Sequence, residues 1–488
     1  MLFACARPLL SVSLAAALVA ATAVRVAEAQ PVATGDDGAY RGYLAVRVLG
    51  GGELEVVDAL NADRLFVPAS VLKVVTVAAT LDRLGPDYRW LTRLTADGGV
   101  NAGVLEGDLV IEPGGDPTWS KAFFDGGAAE PLAALAQQLR ARGLREVTGD
   151  LVVDTSRFPG RPHPTDRGFA DLPYEYGTPT ASLAVDDATV TVRVAPGAVV
   201  GGPARVTAPA GVDVLNHTVT VGRERGGAGT LDFIPVWGTD TLLLRGEYPI
   251  NEPPFVVSAS DPAPELRAAR RIRDALGVVG VTIAGDVRVR RRTAAVGDQG
   301  QMTVLAELRS PPLENLLSRV LTRSHNWSAD MLTLTLAREV TGSGRFDDGV
   351  DVIADFVRGL SADADGDARG TPQLSIVDGS GLSTSNLVSP ATLVQVLAHV
   401  VEQRWGQTLL DALAGPGEGT LAAWPGLPPV AAKTGTLRHT VALAGVLEAD
   451  SATPVLFCYF VNHHLERPAQ ARREITAAVA RWRAAVAP

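Results

Sequence analysis

Pro68-Ala-Ser70-Val-Leu-Lys73-Val-Val-Thr-Val-Ala-Ala-Thr-Leu81-Asp-Arg-Leu84-Gly-Pro86 is the stretch on which the reading of this chain turns. Pro68 suits a first helical turn, Gly85-Pro86 stops the helix, and Val71 to Leu84 is apolar almost all round, so the helix is expected to be buried. Ser70 lies at its amino-terminal end, where free N–H groups and the helix dipole favour negative charge. Three residues on, Lys73 shares its face. The lysine is informative because the chain almost lacks the residue: of 44 basic residues only Lys73, Lys121 and Lys433 are lysines. Two of these stand in short motifs, Ser70-x-x-Lys73 and Lys433-Thr434-Gly435-Thr436, a coincidence expected about once in 300 random placements. A guanidinium does not give up its proton in a protein, whereas a desolvated ammonium beside another cation becomes a neutral base.

Working outward, Ser324-His325-Asn326 lies between these motifs in the chain. A Ser-x-x-Lys alone arises by chance about once or twice in a chain of this length. The ordered trio and the scarcity of lysine together point to a serine nucleophile. Ser70 needs a base within hydrogen-bond reach, and Lys73 serves if burial and Lys433 keep it neutral. Ser324 is placed to relay a proton to a leaving amine, and Asn326, donor and acceptor at once, to hold a substrate amide. Lys433-Thr434-Gly435 fits an edge strand of a site. There the glycine admits substrate backbone, Thr434 and Thr436 offer hydroxyls to a carboxylate, and the N–H groups of Ser70 and Thr436 form an oxyanion hole.

The 488 residues exceed one core and predict two or three domains. An apolar fraction of 46% describes a folded chain, and the net charge of −10 argues against a nucleic-acid surface. Arg288, Arg290, Arg291 and Arg292 form the one basic run, read as a solvated strand end. Arg7, the apolar stretch Leu9 to Val24 and Ala27-Glu28-Ala29 match a secretory signal over residues 1–29. An uncleaved anchor is the alternative; no later segment is long enough to span a bilayer. The exported chain then keeps one cysteine, Cys458, in an apolar strand-like run, which reads as an inert core thiol. No metal site or cofactor is expected: His163, His463 and His464 lack ligand spacing, Gly114-Gly115 is followed by no phosphate-loop lysine, and Asp363 to Asp367 lacks the glutamate a calcium loop needs.

Along the chain, Tyr43 to Leu49 and Glu53 to Val57 read as strands preceding the helix. From about Arg93 to Val296 short strands and glycine-rich turns dominate, with helices at Pro131 to Arg142 and Ala263 to Leu276. Gly107-Asp-Leu-Val-Ile-Glu112 is echoed by Gly149-Asp-Leu-Val-Val-Asp154 and Gly285-Asp-Val-Arg-Val289. Helical patterns return from about Leu305, strands close the chain near Val441 to Asn462, and a last helix presents Ile475, Val479, Trp482 and Val486 on one face, expected to pack on the sheet.

With the trio, Gly107 to Pro117, Ser156-Arg-Phe158, Ser310-Pro-Pro-Leu-Glu-Asn315, Asp378-Gly-Ser-Gly-Leu-Ser383 and Val430 to Leu437 make the chain resemble the D-alanyl-D-alanine carboxypeptidase/endopeptidase family of low-molecular-mass class C penicillin-binding proteins, peptidase family S13. The resemblance implies an α/β (α+β) penicillin-recognising, β-lactamase-like domain, residues 30–92 and 297–488, split by a mostly β insert of two domains, 93–189 with 257–296, and 190–256. It implies hydrolysis of D-Ala-D-Ala amides of peptidoglycan stem peptides, in many members also of the D-Ala cross-link, through an acyl-enzyme on Ser70, with β-lactams as covalent inhibitors and the periplasm or cell envelope as location. It also suggests Asp171 and Tyr176, in Asp171-Leu-Pro-Tyr-Glu-Tyr-Gly177, as a substrate-binding wall. Three departures stand out: His325 within the Ser-x-Asn motif, Asp330 where glutamate is common, and Thr384 where many members carry an arginine that holds diaminopimelate. A β-lactamase and a catalytically silent cell-wall binding protein are the competing readings.

Overall fold

The computed structural model describes residues 38–486 apart from 51–52, 223–229, 292–301, 361–372, 425, 450 and 466–467. The signal-like segment, Arg292 and the acidic turn at Asp363 lie outside the described residues.

Every residue of the strand Val455–Asn462 is buried, because it is the middle strand of a five-stranded antiparallel sheet covered on both faces. Its alternate residues feed two cores, as a period of two demands. Leu456, Cys458 and Phe460 face the helices, among them Leu72–Leu84 and Pro390–Glu402. Val455, Phe457, Tyr459 and Val461 face the last helix, Pro468–Val486, through Ile475, Val479 and Trp482. The terminal helix therefore packs on the sheet as expected. The first strand, Tyr40–Val48, pairs with Val455–Asn462, so the two ends of the chain close one sheet. Val430–Leu437 forms its edge, as the Lys-Thr-Gly motif predicted.

Between these ends sits the insert. A seven-stranded sheet carries the helices Ala129–Ala141 and Pro264–Val278 over a core of its own. Two three-stranded sheets, one including Thr189–Ala195 and Phe255–Ser260, enclose a separate core around Val192, Phe233, Leu242 and Tyr248. A further cluster, Phe158, Ala181, Ala184, Ala188, Trp327, Met331, Leu334 and Phe346, joins the insert to the helix Asn326–Leu336 of the peptidase half.

The three Gly-Asp echoes are neighbours. Leu151 pairs with Leu109 and Val287 with Leu151, all parallel and in register. At each step the aspartate carboxylate accepts the N–H of the next aspartate, Asp108 from Asp150 and Asp150 from Asp286, both at 2.8 Å. The glycines are required because a Cβ at Gly149 or Gly285 would fall 2.3 Å from the neighbouring aspartate oxygen. Arg288 and Arg290 of the basic run are tied to Asp150 and Asp154 on the adjacent strand.

One expectation is corrected. Leu305 does not open the helical region: Thr303–Arg309 is a strand paired antiparallel with Leu91–Asn101 in the insert sheet. Helices resume only at Glu314. The run Val-Leu-Ala-Glu-Leu has helix-forming composition, but an open strand edge recruits it, with Leu305 and Ala306 buried.

Candidate active site

The helix of the opening stretch is buried from Leu72 to Leu81. Each fully buried leucine or valine contributes about 1.5–3 kcal/mol, which holds the helix against the sheet despite its β-branched content. Ser70 lies in a single 3-10 turn, Ala69–Val71, at its start, and Ala69 adopts a left-handed φ of 49°. Gly381 lies against this turn so closely that a Cβ would sit 2.0 Å from the Ala69 carbonyl oxygen.

Lys73 is fully buried, and its ammonium has three partners: Ser70 Oγ at 2.9 Å, Asn326 Oδ1 at 2.7 Å and the Ser380 carbonyl oxygen at 2.5 Å. Lys433, also fully buried, donates to Ser324 Oγ at 2.9 Å and to the Thr434 carbonyl oxygen at 2.8 Å. Ser324 occupies the left-handed region at φ 62°, a conformation uncommon for a non-glycine residue and concentrated at functional sites. It links the helices Glu314–Leu321 and Asn326–Leu336. The edge strand runs alongside the Ser70 turn: a Cβ at Gly435 would lie 2.7 Å from the Pro68 carbonyl oxygen and 3.1 Å from Ala69 Cβ. Thr434 Oγ1 donates to Thr420 Oγ1 at 2.7 Å, and Thr436 is exposed.

Burial is the main cause that lowers Lys73 to about 7; Asp330 and Asp378 oppose it, and Arg167 pushes the same way. Lys433 is held well below its ordinary value by burial and by Lys73. The expected partnership of the lysines thus runs in one direction, since the cation acting on Lys73 is Arg167. Burial, with Arg319 and Lys73 adding, lowers His325 to about 3 and keeps it neutral. Its ring nitrogens face Arg319 at 3.4 Å and Ser328 Oγ at 2.8 Å. An arginine only donates, so His325 Nε2 is the acceptor and Nδ1 carries the proton toward Ser328.

Asn326 differs from the sequence expectation in being engaged at both ends, by Lys73 and by the Tyr176 carbonyl oxygen, to which Nδ2 donates at 3.0 Å. Tyr176 is therefore at the site; its ring is exposed and stacks on Tyr174. Asp171 lies near Arg167, and burial raises its carboxyl above the usual range. Thr384 is exposed. Sequence reasoning missed Arg167, Ser380 and Thr420. Ser380 lies inside the quoted Asp378 to Ser383 motif and could have been singled out there; Arg167 and Thr420 carry no local signal.

Against known proteins, the chain matches the D-Ala-D-Ala carboxypeptidase 3 (S13) family over residues 37–486. A D-alanyl-D-alanine carboxypeptidase of Actinomadura sp. (strain R39) is 32% identical over 429 residues, covering 84% of this chain and 75% of the relative. The D-alanyl-D-alanine carboxypeptidase DacB of Haemophilus influenzae is 26% identical over 444 residues, 87% and 86% of the two chains. The crystal structure of penicillin binding protein 4 (dacB) from Haemophilus influenzae shares the fold, with a TM-score of 0.77 at 24% identity over 91% of this chain and 96% of that one. The fold is the one shared with that structure, and the class is the one carried by the family model and the Actinomadura relative, the D-Ala-D-Ala carboxypeptidases. The chain belongs to the D-Ala-D-Ala carboxypeptidase 3 (S13) family and is a serine-type D-Ala-D-Ala carboxypeptidase.

Proposed function

We propose that Ser70 is the nucleophile and Lys73 its base in hydrolysis of the terminal D-Ala-D-Ala amide of peptidoglycan stem peptides. The observation that carries this reading is the trio of acceptors around the Lys73 amine. Two of them, the Asn326 and Ser380 carbonyl oxygens, can only accept. A neutral amine has two N–H groups and one lone pair, so once both carbonyls are served the lone pair faces Ser70, whose hydroxyl then donates to Nζ.

In this reading Ser70 Oγ attacks the penultimate D-Ala carbonyl carbon as its proton passes to Lys73. The oxyanion is held by the N–H groups of Ser70 and Thr436. Ser324, hydrogen-bonded to Lys433, delivers a proton to the departing D-Ala nitrogen as the C–N bond breaks. Thr434, Gly435 and Thr436 receive the terminal carboxylate side of the substrate, and Asp171 with Tyr176 lines the stem-peptide side. Water then cleaves the Ser70 ester and frees the shortened peptide. The same serine would be acylated by β-lactams. Cleavage of D-Ala cross-links belongs to the proposal, as does action in the cell envelope after removal of residues 1–29. Among the described residues no helix is long and apolar enough to cross a membrane.

The test is incubation of the protein and its Ser70→Ala variant with a fluorescent penicillin and with a stem pentapeptide, followed by intact-mass analysis. A stable adduct and D-Ala release with the unaltered protein alone is the expected result. Adduct on the variant, or D-Ala release by it, would overturn the assignment of Ser70. Rapid penicillin consumption without an adduct would favour a β-lactamase.

A further inference from the structure

A charge cluster outside the three motifs acts on Lys73. Arg167, on the insert loop that precedes Asp171, donates through Nη2 to Asp330 Oδ2 and lies 3.9 Å from Asp378 Oδ2. Side-chain exposure is 3% for Arg167, 3% for Asp330 and 0% for Asp378, so water does little to screen the group. Asp330 sits one turn after Asn326 on the same helix. Asp378 organises the loop that holds Lys73: its carboxylate accepts from Gly381 N at 2.7 Å, Ser383 N at 2.9 Å and Asn386 Nδ2 at 2.9 Å. Ser380, whose carbonyl oxygen takes a Lys73 hydrogen, also acts on Asp330, lowering its carboxyl against the effect of burial.

We propose that Arg167 is a positioning residue of the active site, which serves as counter-ion to Asp330 and Asp378 and thereby frees Lys73 to act as a neutral base. This rests on the reading of Ser70 and Lys73 given above. Two buried carboxylates need a cation, since an unpaired buried charge is far costlier than a paired one. Without Arg167 the nearest cation is Lys73, which would then have to stay protonated and could not accept the Ser70 proton. With Arg167 present, the anions are partly neutralised by a cation other than Lys73.

A purely stabilising role fits the geometry less well. Arg167 Nε and Nη1 and Asp330 Oδ1 have no hydrogen-bond partner among the described residues, and a buried ion pair so incompletely satisfied is a weak source of stability. The other charged or titratable groups facing the cluster are Asp171 and His163 toward Arg167, and Lys433 and His325 toward Lys73. Asp330 itself is raised to about 6, by burial first and by Asp378, with Arg167 and Lys73 opposing, so its charge is balanced against theirs near neutral pH.

The experiment is the second-order rate of acylation by a fluorescent penicillin against pH, for the unaltered protein, Arg167→Met, Asp330→Asn and the double variant. The rate rises with pH as Lys73 loses its proton. Arg167→Met should move the midpoint up and Asp330→Asn should move it down, each by about one unit, a roughly tenfold change in rate below the midpoint. The double variant should return toward the original midpoint. A structural role alone would lower the plateau without shifting the midpoint. Unmoved midpoints, or shifts of both single variants in one direction, would overturn the proposal. Should Arg167→Met fail to fold, the nearly isosteric Asp330→Asn decides: an unmoved midpoint there is sufficient to reject it. Absence of acylation of the unaltered protein at every pH would instead overturn the Ser70 reading, and this proposal with it.

Discussion

In the proposed mechanism Lys73 is the side chain on which the chemistry turns. A primary amine in a dry site, bonded to two carbonyl oxygens and one hydroxyl, has a single use for its lone pair. With its acidity set near 7, mainly by burial, the residue is protonated below that pH and a free amine above it, the form that the proposed role as base requires. Acylation of Ser70 by penicillin should therefore climb between about pH 6 and 8, as a rapid-mixing pH series would measure. Lys73→Arg should lower the rate by about 100- to 10,000-fold at every pH, because a guanidinium does not deprotonate. A variant that kept the original rate would show that Lys73 is not the base. At this scale the sequence was informative where a residue type is rare: Lys73 and Lys433 stood out among the basic residues. Arg167 is one arginine among many, and nothing in Asp166-Arg167-Gly168 distinguishes it from a surface residue.

Elements add constraints that no single residue carries. The Gly-Asp ladder of the insert joins three strands through aspartate caps, with room for a glycine alone before each later aspartate. Gly149→Ala should put Cβ against Asp108 Oδ1 and cost about 1–3 kcal/mol by overpacking, read as a lower midpoint of thermal unfolding. An unchanged midpoint would mean that the strands slide apart freely. The echo of Gly-Asp-apolar runs was legible along the chain, and so was the edge position of Lys433-Thr434-Gly435. Their stacking in parallel register was not, because period-two patterning names a strand's faces and leaves its neighbours open. Thr303–Arg309 was missed for a related reason. Its residues favour a helix locally, and only the free edge of Leu91–Asn101, some 200 residues earlier, makes a strand of them.

In the whole molecule the first described strand and the last one close the same sheet, and the insert rests on the helix Asn326–Leu336 through an apolar cluster that includes Trp327 and Phe158. Cys458 is a reporter of that closure. It is fully buried in the middle strand, and burial raises its thiol well above the ordinary value, so it is doubly protected from reagents. In protein lacking residues 1–29, its alkylation should be negligible under native conditions and should follow global unfolding in denaturant, as mass spectrometry would record. Ready labelling of the native protein would contradict a sheet closed in this way.

By itself the sequence determined the chemical inventory: a serine and a lysine one helical turn apart, a second scarce lysine on an edge strand, a Ser-x-Asn pair between them, and the periodicities of most strands and helices. These are local signals, written within a few residues by propensity and spacing. Only the tertiary structure decided which groups share the buried volume around Lys73. Arg167, Asp330, Asp378 and Ser380 come from three separate segments of the chain, and their effect on the amine depends on distance and exclusion of water. Neither quantity exists until the insert has folded onto the peptidase half.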